Sequence, residues 1–150
     1  LHQVAVSLGH QLRKSQSEMS IECDPELNIY SYPGSFAQIY SNLILNSIRH
    51  GFDEWQGERK IIIQVTRHDT ELHIDYRDTG KGIDPQILPH IFDPFVTSKR
   101  GQGGSGLGTH IVYNLIVQLM HGRITCESKP DQGARFHIRL PLEAEPAEVA

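Results

Sequence analysis

Apolar residues recur along this chain with two periods, and the change from one to the other outlines its elements. Met19, Ile21 and Cys23 alternate with polar neighbours, as do Ile61, Ile63 and Val65, and then Leu72, Ile74 and Tyr76. Stretches 123–128 and 134–140 alternate in the same way near the end. A period of two predicts strands with one buried face. From about Phe36 to His50 the period is helical, with Phe36, Ile39, Tyr40, Leu43 and Ser47 on one face. A second helix follows from Leu107, where Leu107, Ile111, Leu115 and Leu119 recur every fourth residue with Val112 and Ile116 beside them.

The connections fit. Tyr32-Pro33-Gly34-Ser35 predicts a turn and cap before the first long helix, and Gly51 and Gly122 predict helix ends. His68-Asp69-Thr70 suits an antiparallel hairpin, and Pro130-Asp131-Gln132-Gly133 joins the last two strands. Asn28-Ile29-Tyr30 is a candidate short strand, and Asp84-Pro85 a candidate start for a short helix over 84–91. Residues 1–18 are helical and polar, with only Val4, Leu8 and Leu12 in a stripe, and predict a helical linker or the end of a preceding dimerisation region. Residues 143–150 are acidic and alanine-rich and predict a disordered tail or linker. Between them, 19–142 reads as one α+β domain: a two-layer α/β sandwich with a mixed, mostly antiparallel sheet and helices on one face.

Bulk properties narrow the function. The 150 residues suffice for one domain with a core, and a net charge of −4 argues against a nucleic-acid binder. No apolar run approaches the ~20 residues that cross a bilayer. A cytoplasmic domain is expected, monomeric in isolation, whose parent can still be held at the inner membrane. Cys23 and Cys126, the only cysteines, read as small buried hydrophobes in a reducing compartment. The nine histidines form no zinc-ligand spacing.

Four segments carry candidate chemistry. Asp78-Thr79-Gly80-Lys81-Gly82-Ile83 follows a strand. A carboxylate there can accept a hydrogen bond from an exocyclic amine such as that of adenine, while Gly80 and Gly82 let a flat base approach the backbone; an ordinary turn is the alternative. Asn42 and Asn46 lie one turn apart on a polar helix stripe with Gln38 and Arg49. Asparagine is a poor helix former, so the pair either bonds neighbouring loops or turns an oxygen toward a hard cation such as magnesium. Arg49 either meets a phosphate or is a solvated cation favoured by the helix dipole. Gly104-Ser105-Gly106-Leu107-Gly108 leads into the last helix, where backbone N–H groups can cradle phosphate, and Lys99 and Arg100 add charge just before it. Phe92 and Phe95 flank Asp93-Pro94 and read as core anchors. Gly101, Gly103 and Gly106 also fit G-x-G-x-x-G, but no strand runs directly into them, and no P-loop motif is present.

Taken in order, these segments resemble the four boxes of the catalytic and ATP-binding domain of bacterial sensor histidine kinases, in the gyrase, Hsp90, histidine kinase and MutL superfamily. Residues 42–50 resemble the N box, 78–83 the G1 box, 91–99 the F box and 104–108 the G2 box. The resemblance implies a Bergerat-type site for ATP and Mg2+. Asp78 would bind the adenine amine, with Gly80, Gly82 and Ile83 beside it, and Asn46 would ligate the metal. Arg49 and His50 would approach the phosphates. Phe95, Thr97, Lys99, Gly104, Ser105, Gly106, Leu107 and Gly108 would form the lid and phosphate cradle, with Thr97 to Ser105 as the lid. Asn42 stands where the ATPase branches carry a glutamate base, and an amide cannot take a proton from water. Ala134 follows Gly133 where relatives often carry a hydroxyl, so one polar contact near the base is missing or carried by water.

The resemblance therefore implies a kinase that passes the γ-phosphoryl of ATP to a histidine on a dimerisation domain of the same protein, and thence to a response regulator. Asn42, Arg49 and Lys99 are the candidate catalytic positions. His10 lacks the acidic residue and proline expected after an acceptor histidine. The alternatives are a regulatory module that holds ATP or ADP without transfer, and an autonomous ATPase.

Overall fold

A computed structural model of the chain describes residues 6–24, 27, 33–95 and 107–142. Its elements are α1 (Gly9–Lys14), β1 (Glu18–Cys23), α2 (Pro33–Asn46), β2 (Lys60–His68), β3 (Glu71–Asp78), a 3-10 turn (Leu88–His90), α3 (Gly108–Asn114), β4 (Arg123–Ser128) and β5 (Ala134–Pro141). The strands form one five-stranded sheet in the order β1-β2-β3-β5-β4. β1 pairs with β2 in parallel, across a crossover that contains α2, and the other three pairings are antiparallel. This is the α+β sandwich with a mixed, mostly antiparallel sheet that the patterning predicts.

The inward residues are those with period two. Ile61, Ile63 and Val65 of β2, Leu72, Ile74 and Tyr76 of β3, and Phe136, Ile138 and Leu140 of β5 are buried together with Ile39, Tyr40, Leu43 and Ile44 of α2, Val112 of α3 and Ile116 just beyond it. The β2–β3 hairpin turns at Asp69, whose φ of 53° lies in the left-handed region.

Several boundaries differ from the sequence reading. α2 begins at Pro33, upstream of the cap expected at Ser35. Proline suits a first helical turn because its missing N–H has no partner to lose there. Both long helices run on into five-residue π-turns, Ser47–Gly51 and Leu115–Leu119. At the end of the second, His121 takes the left-handed conformation (φ 58°), so it, and not Gly122, is the helix stop. Gly122 is needed for close approach: a Cβ there would stand 2.5 Å from the carbonyl oxygen of Arg139. The stripe buried beside α3 is Val112, Ile116 and Met120, whereas Leu119 is 40% exposed. The segment 84–91 forms turns and the short 3-10 helix instead of an α-helix.

β1 is an edge strand with a largely exposed face, so Cys23 is exposed and not buried as expected. Cys126 is partly buried, and its thiol is pushed up to about 12 by burial, then by the charges of Asp78 and Glu127. Leu8 and Leu12, in the segment read as a linker, both join the core. The short strand expected at 28–30 lies outside the described residues, as does the tail at 143–150.

Candidate nucleotide site

β3 ends with Tyr76 and Asp78 on its inward face, two residues apart and therefore on the same side of the strand. There they meet the π-turn that prolongs α2. Asp78 is only 7% exposed, yet its carboxylate is well supplied with donors. Oδ2 accepts from the Ser47 hydroxyl at 2.7 Å. Oδ1 accepts from the backbone N–H of Gly80 at 3.0 Å and of Ala134 at 3.1 Å. Ser47 in turn lies 2.6 Å from the Tyr76 hydroxyl, which donates to the carbonyl of Leu43 at 2.9 Å. Burial pushes the Asp78 carboxyl above its usual range, and the hydrogen bonds from Ser47, Gly80 and Ala134 pull it back only in part.

Glycines make this arrangement possible. A Cβ on Gly80 would stand 2.3 Å from the carbonyl oxygen of Gly51. One on Gly133 would stand 2.0 Å from the carbonyl oxygen of Asp78, and its φ of 73° disfavours any side chain. The bare backbone at 80 and 133–134 therefore closes on the carboxylate from two strand ends. Gly82 (φ 82°) and Ile83 lie just beyond, where the Ile83 N–H donates to the Ser128 hydroxyl at 2.8 Å. The Ser128 hydroxyl in turn donates to the carbonyl of Gly133, again at 2.8 Å.

The asparagines sit on the adjoining helix. Asn42 has a buried side-chain nitrogen with no hydrogen-bond partner among the described residues. Asn46, directly before Ser47, is half-buried and its side chain has no partner among the described residues. Arg49 is exposed and His50 partly buried on the π-turn that follows. At the other end, Leu107 and Gly108 open α3. α3 is tied to the segment before it by Thr109, which donates to the Ile91 carbonyl at 2.5 Å, and by His110, 2.9 Å from the Phe92 carbonyl. Phe92 packs on Tyr113 and Phe136, as an anchor should. Phe95 does not: it is 57% exposed, with φ 64°. Thr97, Lys99, Gly104, Ser105 and Gly106 lie outside the described residues.

The structure thus brings Asp78, Gly80 and the segment 46–51 together, and it adds three side chains that the sequence reading had not assigned to a site: Ser47, Tyr76 and Ser128. The Ala134 position supplies a backbone N–H to the carboxylate in place of the side-chain contact. Residues 32–144 match the family described as histidine kinase-, DNA gyrase B- and HSP90-like ATPases. The chain belongs to that family. It is 34% identical over 132 residues to the signal transduction histidine-protein kinase AfsQ2 of Streptomyces coelicolor, covering 85% of this chain and 23% of that protein. It is 38% identical over 105 residues to the alginate biosynthesis sensor protein KinB of Pseudomonas aeruginosa, covering 70% of this chain and 17% of that protein. The catalytic domain of the histidine kinase ThkA superposes with a TM-score of 0.75 at 25% identity, covering 93% of this chain and 90% of that one. The chain spans less than a quarter of the length of the two curated relatives. Within the family it is an ATP-binding catalytic domain of the sensor histidine kinase type. No helix among the described residues is long and apolar enough to cross a membrane.

Proposed function

We propose that this domain binds ATP with Mg2+ and passes the γ-phosphoryl to a histidine on a helical dimerisation domain of its parent protein, from which a response regulator takes it. The carrying observation is the Asp78 carboxylate, buried, fixed on both oxygens, and flanked by glycine backbone instead of side chains. Such a group accepts the amine of adenine and repels the carbonyl that guanine presents at the same place. The other assignments follow the same axis. Asn46 offers an unengaged amide oxygen, a hard donor suited to magnesium, one helical turn before Arg49 and His50. When bound, the metal neutralises charge on the transferring phosphate. Arg49 and Lys99 add positive charge there, His50 approaches the phosphates beside Arg49, and residues 104–108 cradle them.

Asn42 separates transfer from hydrolysis. Its amide has no basic lone pair to take a proton from water, so the site orients ATP without activating a water. Its buried, unpartnered Nδ2 is a donor available to a phosphate oxygen or an ordered water. A histidine acceptor needs no such base, because neutral imidazole is itself the nucleophile.

Mixing the domain with γ-labelled ATP and the parent's helical domain should give an acid-labile phosphate on the latter. A folded pair that binds ATP but transfers nothing would instead favour a regulatory nucleotide-binding module. Asn42→Glu should raise ATP hydrolysis over a low basal rate; an unchanged rate would remove Asn42 from the account.

A further inference from the structure

Tyr76 is fully buried and Ser47 nearly so, so neither side chain is placed to touch a ligand across open solvent; Asp78, itself buried, is the least covered of the three. Counting protons along the row gives it a direction. A carboxylate only accepts, so when Asp78 is ionised the Ser47 proton must lie toward Oδ2 at 2.7 Å. The Ser47 oxygen then needs a donor, and among the described residues the hydroxyl within reach is that of Tyr76 at 2.6 Å. Tyr76 has a single proton and a second acceptor, the Leu43 carbonyl, at 2.9 Å. The phenolic proton therefore has two settings. Turned to Leu43, it leaves Ser47 unassisted and suits a neutral Asp78; turned to Ser47, it completes a run of donors that ends on the ionised carboxylate.

We propose that Tyr76, acting through Ser47, is a positioning residue for nucleotide-base recognition: it holds the Asp78 carboxylate ionised and aimed to accept the exocyclic amine of adenine. The inference rests on the reading of Asp78 as the adenine acceptor. It extends that reading into the core, to a tyrosine that no ligand reaches. Hydroxyls in series polarise one another, so a donor two steps removed still strengthens the terminal contact.

The test compares ADP with purine riboside diphosphate, the same nucleotide without the 6-amino group, by calorimetry on the domain as it exists. The wild-type protein should prefer ADP. Tyr76→Phe keeps the ring and removes only the hydroxyl, and it should reduce that preference roughly fivefold, the ordinary worth of one hydrogen bond. Ser47→Ala should reduce it by the same factor, and the double variant should lose no more than either single one, because both cut one relay. A Tyr76→Phe protein that weakens for both nucleotides equally would show a packing role and overturn the proposal. So would a Ser47→Ala protein that keeps the full preference, which leaves the proposal open to refutation even if the tyrosine variant does not fold. A wild-type domain that binds the two nucleotides equally well would overturn the adenine reading of Asp78 itself.

Discussion

At Asp78 burial raises the carboxyl pKa, and the hydrogen bonds from Ser47, Gly80 and Ala134 do not fully offset it. A carboxyl whose folded pKa exceeds its unfolded one contributes stability below the unfolded value, and that contribution is lost as pH rises through the folded value. In the nucleotide-free domain at neutral pH, the ionised group is thus a stability cost carried for function. Asparagine has the same shape without the charge. Its oxygen can still accept from Gly80 and Ala134, and its amide can donate to Ser47, whose hydroxyl then donates to Tyr76 while the Tyr76 hydroxyl donates to the Leu43 carbonyl. Asp78→Asn should raise the melting temperature of the nucleotide-free domain by roughly 2–4 °C near neutrality, on the order of 1 kcal/mol, while ADP gives no further shift. The advantage over wild type should shrink toward about pH 4 and grow with pH. A melting difference that is flat across that range would mean that the buried charge is not its source. This part of the site was half legible. The strand period puts Tyr76 and Asp78 on one face, and Asp78 stands out as a charge at the end of a strand. In the sequence Ser47 is one more position on an apolar helix face, because nothing local says that a residue 31 positions away will meet it.

The second long helix carries the clearest misreading, whereas on α2 the predicted face of Ile39, Tyr40, Leu43 and Ser47 is buried. Periodicity identifies a helix and its candidate stripes, but two stripes at i, i+4 spacing lie side by side after Leu107. Which of them faces the sheet is decided by the sheet. Val112, Ile116 and Met120 meet it, and Leu119 turns to solvent. The π-turns shift the last residues further from an α-helical register. The stop after the second helix was then placed on the obvious glycine, one residue too late. His121→Gly should stabilise the domain by about 0.5–1 kcal/mol in urea unfolding, since glycine adopts the left-handed conformation without the Cβ clash. Gly122→Ala should cost about 2 kcal/mol or more, because its Cβ would collide with the Arg139 carbonyl. The opposite order of effects would return the helix stop to Gly122.

Over the whole molecule, the strands and their inward faces could be read from a period of two, and four ordered sequence boxes pointed to one pocket. Gly133 and Ala134 are less legible: the Ala134 N–H reaches Asp78 across 56 residues, beside the β3–β5 pairing, and no local pattern encodes that pairing. The N-terminal segment shows the same limit. A stripe of only Val4, Leu8 and Leu12 over eighteen mostly polar residues is too thin to predict a packed helix, so α1 reads as a linker. In the structure Leu8 and Leu12 are 7% and 8% exposed and belong to the core. Arg59 also reaches back to the Ser15 carbonyl with a 2.7 Å hydrogen bond, and the Glu18 N–H donates to the Arg59 carbonyl at 2.9 Å. A helix of six residues has little stability of its own, so its order comes from what it covers. Leu12→Ala should therefore destabilise the domain by about 2–3 kcal/mol, with one cooperative unfolding transition retained. Under the linker reading, the same change would lie within about 0.5 kcal/mol of wild type. Deleting residues 1–17 extends the comparison: a core that includes α1 would then unfold at clearly lower urea with a smaller m-value, because less surface is buried, whereas a linker could be removed with both quantities unchanged.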